Sequence, residues 1–107
     1  MINLMHIIRA IYLGNFVILF ESDDRQMRTI DLKPMLAGNM GAFTCLRDEK
    51  IFQTFYVSEV GILTWDLDLP KENERQINQF DIAPEYIFEH SKSLLVKQGE
   101  YRIPISL

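Results

Sequence analysis

The side chains best suited to hold a soft metal or to attack a carbonyl are His6, Cys45 and His90, and no two of them lie at a recognised ligand spacing. No metal site is expected from them. His6 fits an edge strand, His90 fits a helix end where its cation would meet the dipole, and Cys45 fits a small buried apolar position. The acidic run Asp66-Leu67-Asp68, with Glu72 and Glu74 beyond it, offers oxygen ligands of the kind Ca²⁺ takes. It lacks the glycine and the spacing of a calcium loop, so it reads as a solvated acidic stretch. A serine or cysteine nucleophile would need a histidine and an orienting acid, and the chain contains neither a G-x-S-x-G elbow nor a cysteine-enzyme signature. Asp23 and Asp24 are adjacent in a polar turn, where their carboxylates diverge rather than share a proton. No catalytic residue and no cofactor is expected, and the chain does not read as an enzyme.

A second kind of chemistry is recognition. Phe52, Phe55, Tyr56 and Trp65 are close in sequence and could line a small-ligand pocket, although filling a core is the commoner role for such a group. The candidate contact residues for a ligand or partner are Phe52, Tyr56, Trp65 and Asp81. Each also has a structural reading: Trp65 as an anchor between sheet and helix, and Asp81, like Asp31, as the cap of a helical turn.

These residues must be carried by a small sheet and short helices. His6–Tyr12 and Phe16–Phe20 are β-rich runs joined by Leu13-Gly14-Asn15, a hairpin pattern. Phe16, Ile18 and Phe20 share one face of the second run and Val17 and Leu19 the other, which predicts a central strand covered on both sides. The polar turn at Ser22-Asp23-Asp24-Arg25 leads to a third strand over Met27–Leu32, giving an antiparallel meander. Pro34–Ala37 suits a helical turn that ends at Gly38. Cys45–Asp48 reads as a short turn, Phe52–Val57 as a fourth strand and Ile62–Trp65 as a fifth. Residues 66–80 read as an exposed polar insertion. A helix is expected from a cap at Asp81 through Glu89, with Pro84 in its first turn. Residues 91–107 form a tail in which Tyr101, Ile103 and Ile105 alternate with Arg102 and Pro104, consistent with an edge strand. The predicted class is α+β: a small antiparallel sheet, short helical turns and one C-terminal helix, in a single domain over 1–90.

Composition agrees with a folded domain, since 48% of the 107 residues are apolar and 24% charged. The net charge of −4 and the scattered cations oppose binding to a phosphate backbone, so no nucleic-acid partner is expected. The single cysteine cannot form an internal disulfide, which points to a reducing, cytoplasmic setting. The apolar N-terminal stretch lacks a basic leader region, is interrupted by His6, Arg9 and Asn15, and has no small-x-small cleavage site; neither a signal peptide nor a membrane span is expected.

Phe20, Asp31-Leu32-Lys33-Pro34-Met35-Leu36, Phe52, Thr64-Trp65 and Asp81-Ile82-Ala83-Pro84-Glu85-Tyr86 together resemble the pattern of the bacterial family called domain of unknown function 2442. The match is scattered over roughly residues 4 to 90. Most members join the tryptophan to the aspartate by a short turn, whereas this chain interposes residues 66–80. The resemblance implies a small α+β domain, often standing alone, and brings no activity with it. Members are often accompanied by another small domain, in a manner that suggests a toxin–antitoxin pair. The leading expectation is therefore a non-catalytic interaction domain with a protein partner, antitoxin-like in role. A small-ligand-binding domain is the alternative, and a homodimer through the C-terminal edge strand is a further arrangement the pattern allows.

Overall fold

The computed structural model describes residues 6–67 and 79–94, apart from the side chain of Ala42. Strands β1 (Ile7–Gly14), β2 (Val17–Ser22) and β3 (Met27–Asp31) form the expected meander. Helix α1 (Lys33–Leu36), a 3₁₀ segment (Gly41–Arg47) and helix α2 (Glu49–Phe52) follow. Strands β4 (Tyr56–Val57), β5 (Leu63–Asp66) and β6 (Gln79–Asp81) make a second antiparallel sheet. Helix α3 (Pro84–His90) leads into β7 (Ser91–Ser93), which returns to the first sheet and pairs with β3, giving the order β1-β2-β3-β7. The fold is α+β with two small antiparallel sheets.

The first hairpin is tighter than the sequence implies. Gly14 pairs with Val17, so the loop is Asn15-Phe16, and both residues have positive φ (54° and 62°), as a type I′ turn demands. Phe16 thus belongs to the turn rather than to the strand. An aromatic residue is costly there. Three contacts hold it: its ring meets Phe52 edge-on at 5.0 Å, its N–H donates to the Tyr12 hydroxyl (3.0 Å), and its carbonyl accepts from the Leu32 N–H (3.0 Å). The Tyr12 hydroxyl in turn donates to Glu49 of α2, fastening the hairpin tip to that helix. Burial first, then this bond to the carboxylate, raises the Tyr12 pKa.

Ile18, Phe20 and Ile30 of the first sheet join Leu63 and Trp65 of the second in one core, completed by Leu32, Leu36, Leu46, Phe52, Ile82 and Ile87. Alternation along β2 places Ile18, Phe20 and Ser22 inward, all buried. The strand is central, as expected. Val17 and Leu19, on its other face, are half-buried and pack on none of this core, so cover on both sides does not hold among the described residues.

Four other expectations change. Phe52 lies in α2, not in a strand, because Asp48 accepts the Lys50 N–H and starts a helical turn; the strand is confined to Tyr56–Val57. Asp66 and Leu67, with Gln79 and Phe80 at the far end of the expected insertion, belong to or adjoin the second sheet, and Leu67 is buried. Helix α3 starts at Pro84 with Ala83 in the cap position and no side-chain cap, since Asp81 pairs with Thr64 in β6. Asp31 accepts the Lys33 N–H at 2.9 Å, but it stands one residue before the cap position of α1, which is Leu32 and has no side-chain cap. The alternating segment Tyr101–Ile105 lies outside the described residues.

Two turn carboxyls carry the acid sensitivity of this frame. The Ser22 hydroxyl, then the Gln26 N–H, hold the Asp24 carboxyl below its usual range. Burial pushes Asp31 up, but the Lys33 N–H and ammonium outweigh it and hold that carboxyl low as well. Groups depressed in the folded state add stability that is complete above the unfolded carboxylate pKa of about 4 and is lost as pH falls through the folded values. The expected result is a thermal midpoint that is flat from neutral pH to about pH 5 and declines below about pH 4. Asp24→Asn should make the acid decline shallower, which a circular-dichroism melt series across pH would register.

Candidate functional site

Two surfaces stand out. The first is the outer face of the four-stranded sheet. Register sets Ile11 beside Leu19 and Leu19 beside Thr29, and Val17 beside Asp31, so these side chains share the face opposite to Ile18 and Phe20. Leu13 and Met27 fall on the same face by alternation. Ile11 is 57% exposed and the neighbouring Ile8, which the register shift between Ile7 and Arg9 leaves without a partner, is 52% exposed. None of Ile8, Ile11, Leu13, Val17, Leu19 and Met27 packs against the core. Two pairs of charges flank this row, Arg9 with Glu21 at 2.8 Å and Lys33 with Asp31 at 3.0 Å, and exposed Lys92 stands beside Thr29 on the same face.

The second is an open cleft of about 480 Å³ between the start of β1 and the β4–β5 turn, lined by His6, Ile8, Val57, Ser58, Glu59 and Val60. His6 Nδ1 lies 3.0 Å from Asp23 Oδ2, and both side chains are about half exposed. An imidazole oriented by a carboxylate is half of a general-base constellation. Ser58, however, takes the Ile62 N–H at 3.2 Å within its own turn, and no hydrogen bond joins it to His6. The cleft can therefore offer polar contacts beside the apolar side chains of Ile8, Val57 and Val60. Among the described residues, no three His, Cys, Asp or Glu side chains converge as metal ligands would.

The residues singled out from sequence are divided by the fold. Phe52 and Trp65 are fully buried, with ring centroids 5.4 Å apart, and the Trp65 indole N–H donates to the Phe52 carbonyl at 2.6 Å. Phe55 flanks both rings. This group fills the core. Tyr56 stands outside, where its hydroxyl donates to Asp66 (2.9 Å) and receives the Gln79 amide (3.1 Å); the Asp66 bond raises its pKa. Asp81 is exposed on β6, beyond the end of that cluster. His90 ends α3 as expected, its ring stacked on Tyr86 with centroids 4.0 Å apart, and Cys45 is half-buried at the edge of the core.

The sequence reading missed both surfaces. Alternation in β1 and β2 shows two apolar faces without telling which one is covered. His6 and Asp23 come together only because the Asp23 N–H donates to the His6 carbonyl at 2.8 Å beside the hairpin's open end. No helix among the described residues is long and apolar enough to cross a membrane. No family model, no curated protein and no solved structure matches this chain.

Proposed function

We propose that the chain is a non-catalytic interaction domain that binds a protein on the outer face of its four-stranded sheet. The observation that carries this is the row of apolar side chains, exposed Ile11 and half-buried Leu19 at its centre, which face away from the core. An apolar surface row rimmed by polar residues is the pattern of a protein interaction site. The resemblance to domain of unknown function 2442 supports a finer form, an antitoxin-like member of a two-protein pair in a bacterial cytoplasm, and the single thiol fits that compartment.

Native mass spectrometry of a tagged copy, purified gently from its own host, tests this. Wild type should carry a stoichiometric protein, a second copy included, that Ile11→Glu sheds. A bare wild-type chain at all concentrations would refute the reading. The ligand-binding alternative is favoured by the cleft beside His6 rather than by the aromatic group, and a retained small molecule lost on Val57→Trp would support it.

A further inference from the structure

We infer that the cleft between the start of β1 and the β4–β5 turn binds a small aliphatic amine, an ammonium group carried on a short apolar stem. The site is separate from the outer sheet face, so it stands or falls independently of the protein-interaction reading. It rests on the ligand-binding alternative above and gives that ligand a chemical class. At about 480 Å³ the cleft has the size of a small-molecule site.

Its polar groups are mainly acceptors. Asp23 Oδ2, 3.0 Å from His6 Nδ1, is a carboxylate oxygen and only accepts, so Nδ1 carries the proton and the neutral ring keeps a lone pair on Nε2. Glu59 adds an exposed carboxylate from the turn. Three N–H groups that could have served an anion are already used. Ile7 donates to the Gly61 carbonyl, Gly61 to the Ser58 carbonyl and Ser58 to the Ile62 carbonyl, each at 2.9 Å. No lysine or arginine stands among the described residues that line the cleft. Protonation of His6 would not reverse this sign, because Asp23 pairs with that ring and Glu59 remains. A cation rich in N–H donors answers these groups, and an anion does not.

The apolar lining sets the rest of the ligand. Ile8 and Val60 are exposed and Val57 is half-buried beside them. An alkyl stem laid on these side chains takes apolar surface out of water, a gain that a bare cation forgoes. The two walls are also held at a set spacing. Gly61 approaches β1 so closely that a methyl group there would come within 2.9 Å of His6 Cβ, and the Ile7–Gly61 hydrogen bond fastens the contact. The ligand therefore meets a largely preformed site.

Nitrogen NMR of the two imidazoles in the purified full chain, at mildly alkaline pH, tests the inference. His90, stacked on Tyr86 at the end of α3, is the internal control. His6 should carry its proton on Nδ1, and its signals should shift saturably with butylammonium at a Kd on the order of 1 mM, while those of His90 stay in place. Butyrate, with a stem of similar length and the opposite charge, should shift neither. Glu59→Gln should weaken amine binding about fivefold, as loss of an exposed ion pair allows. Ile11→Glu should leave it unchanged, which separates this site from the sheet face. Unchanged emission from Trp65, sealed in the core, certifies that each variant is folded. Where Glu59→Gln fails that check, Val60→Lys, a cation at the exposed lip, replaces it with at least the same loss expected. No saturable His6 shift at about 50 mM amine overturns the inference. So does butyrate binding as tightly as butylammonium, an equal response at His90, or undiminished binding by Glu59→Gln. An anionic molecule retained in the native experiment and lost on Val57→Trp would overturn the amine class while leaving the cleft a ligand site.

Discussion

Replacing Trp65 with alanine should cost about 3–5 kcal/mol, enough to lower the thermal midpoint by about 15–25 °C in a domain of this size. The ring is fully buried, touches Phe52, Phe55 and Phe80, and stands where the second sheet meets α2. Its removal leaves a cavity that three separate elements would have to close. The indole also donates to the Phe52 carbonyl at 2.6 Å. Trp65→Phe therefore separates the two contributions, since it keeps most of the volume and loses the bond. That substitution should cost about 1–3 kcal/mol, the range for leaving a buried acceptor without its donor. Chemical denaturation followed by circular dichroism gives both values. A Trp65→Ala midpoint within a few degrees of wild type would mean that the ring is not a core anchor.

Gly61→Ala should be the next most damaging change, at about 2–4 kcal/mol. Gly61 has φ of +76°, and a methyl group there would come within 2.9 Å of His6 Cβ and 3.1 Å of the Ile7 nitrogen. The contact is with backbone and a Cβ, so neither neighbour can rotate away. Its carbonyl is also the acceptor that ties β1 to the β4–β5 turn. Gly14→Ala provides the comparison, because Gly14 has φ of +92° but nothing within 4 Å of the added atom. That variant should lose only the conformational part, about 1–2 kcal/mol. Equal losses at the two positions would show that the close approach at Gly61 carries no cost of its own.

The parts of the fold legible in the sequence are those written in local chemistry. The meander follows from alternation between polar turns, and Pro34 and Pro84 lie in first helical turns as a missing N–H allows. Trp65 as an anchor follows from its size. The failures have physical causes. Phe52-Gln53-Thr54-Phe55-Tyr56-Val57 has strand composition throughout, but a four-residue helix is too short to show a period, and the capping Asp48 outweighs propensity over that turn. Asp81 looks like a cap by its distance from Pro84, yet pairing with Thr64 draws it into β6. Phe16 looks like a strand residue because nothing local reveals that Phe52, distant in sequence, will hold it in the turn.

The candidate site was less legible. The aromatic residues and Asp81 were visible as residue types, and the fold places Phe52 and Trp65 inside and Asp81 outside. What marks the outer face is the lack of a covering element over Ile11 and Leu19 among the described residues, and that is a property of the assembled layers rather than of any window of sequence.

The return of β7 to β3 has a consequence for how the chain is made. Thr29 and Lys92 are neighbours in the sheet but are synthesised far apart in time, with α1, α2, the second sheet and α3 between them. The meander can close as soon as its three strands leave the ribosome, while the outer edge of β3 stays open until Ser91–Ser93 emerges. During that interval the nascent chain shows an unpaired row of backbone donors and acceptors that the finished molecule hides. Translation speed through the stretch after Asp31 thus sets how long a second nascent chain has to pair there first.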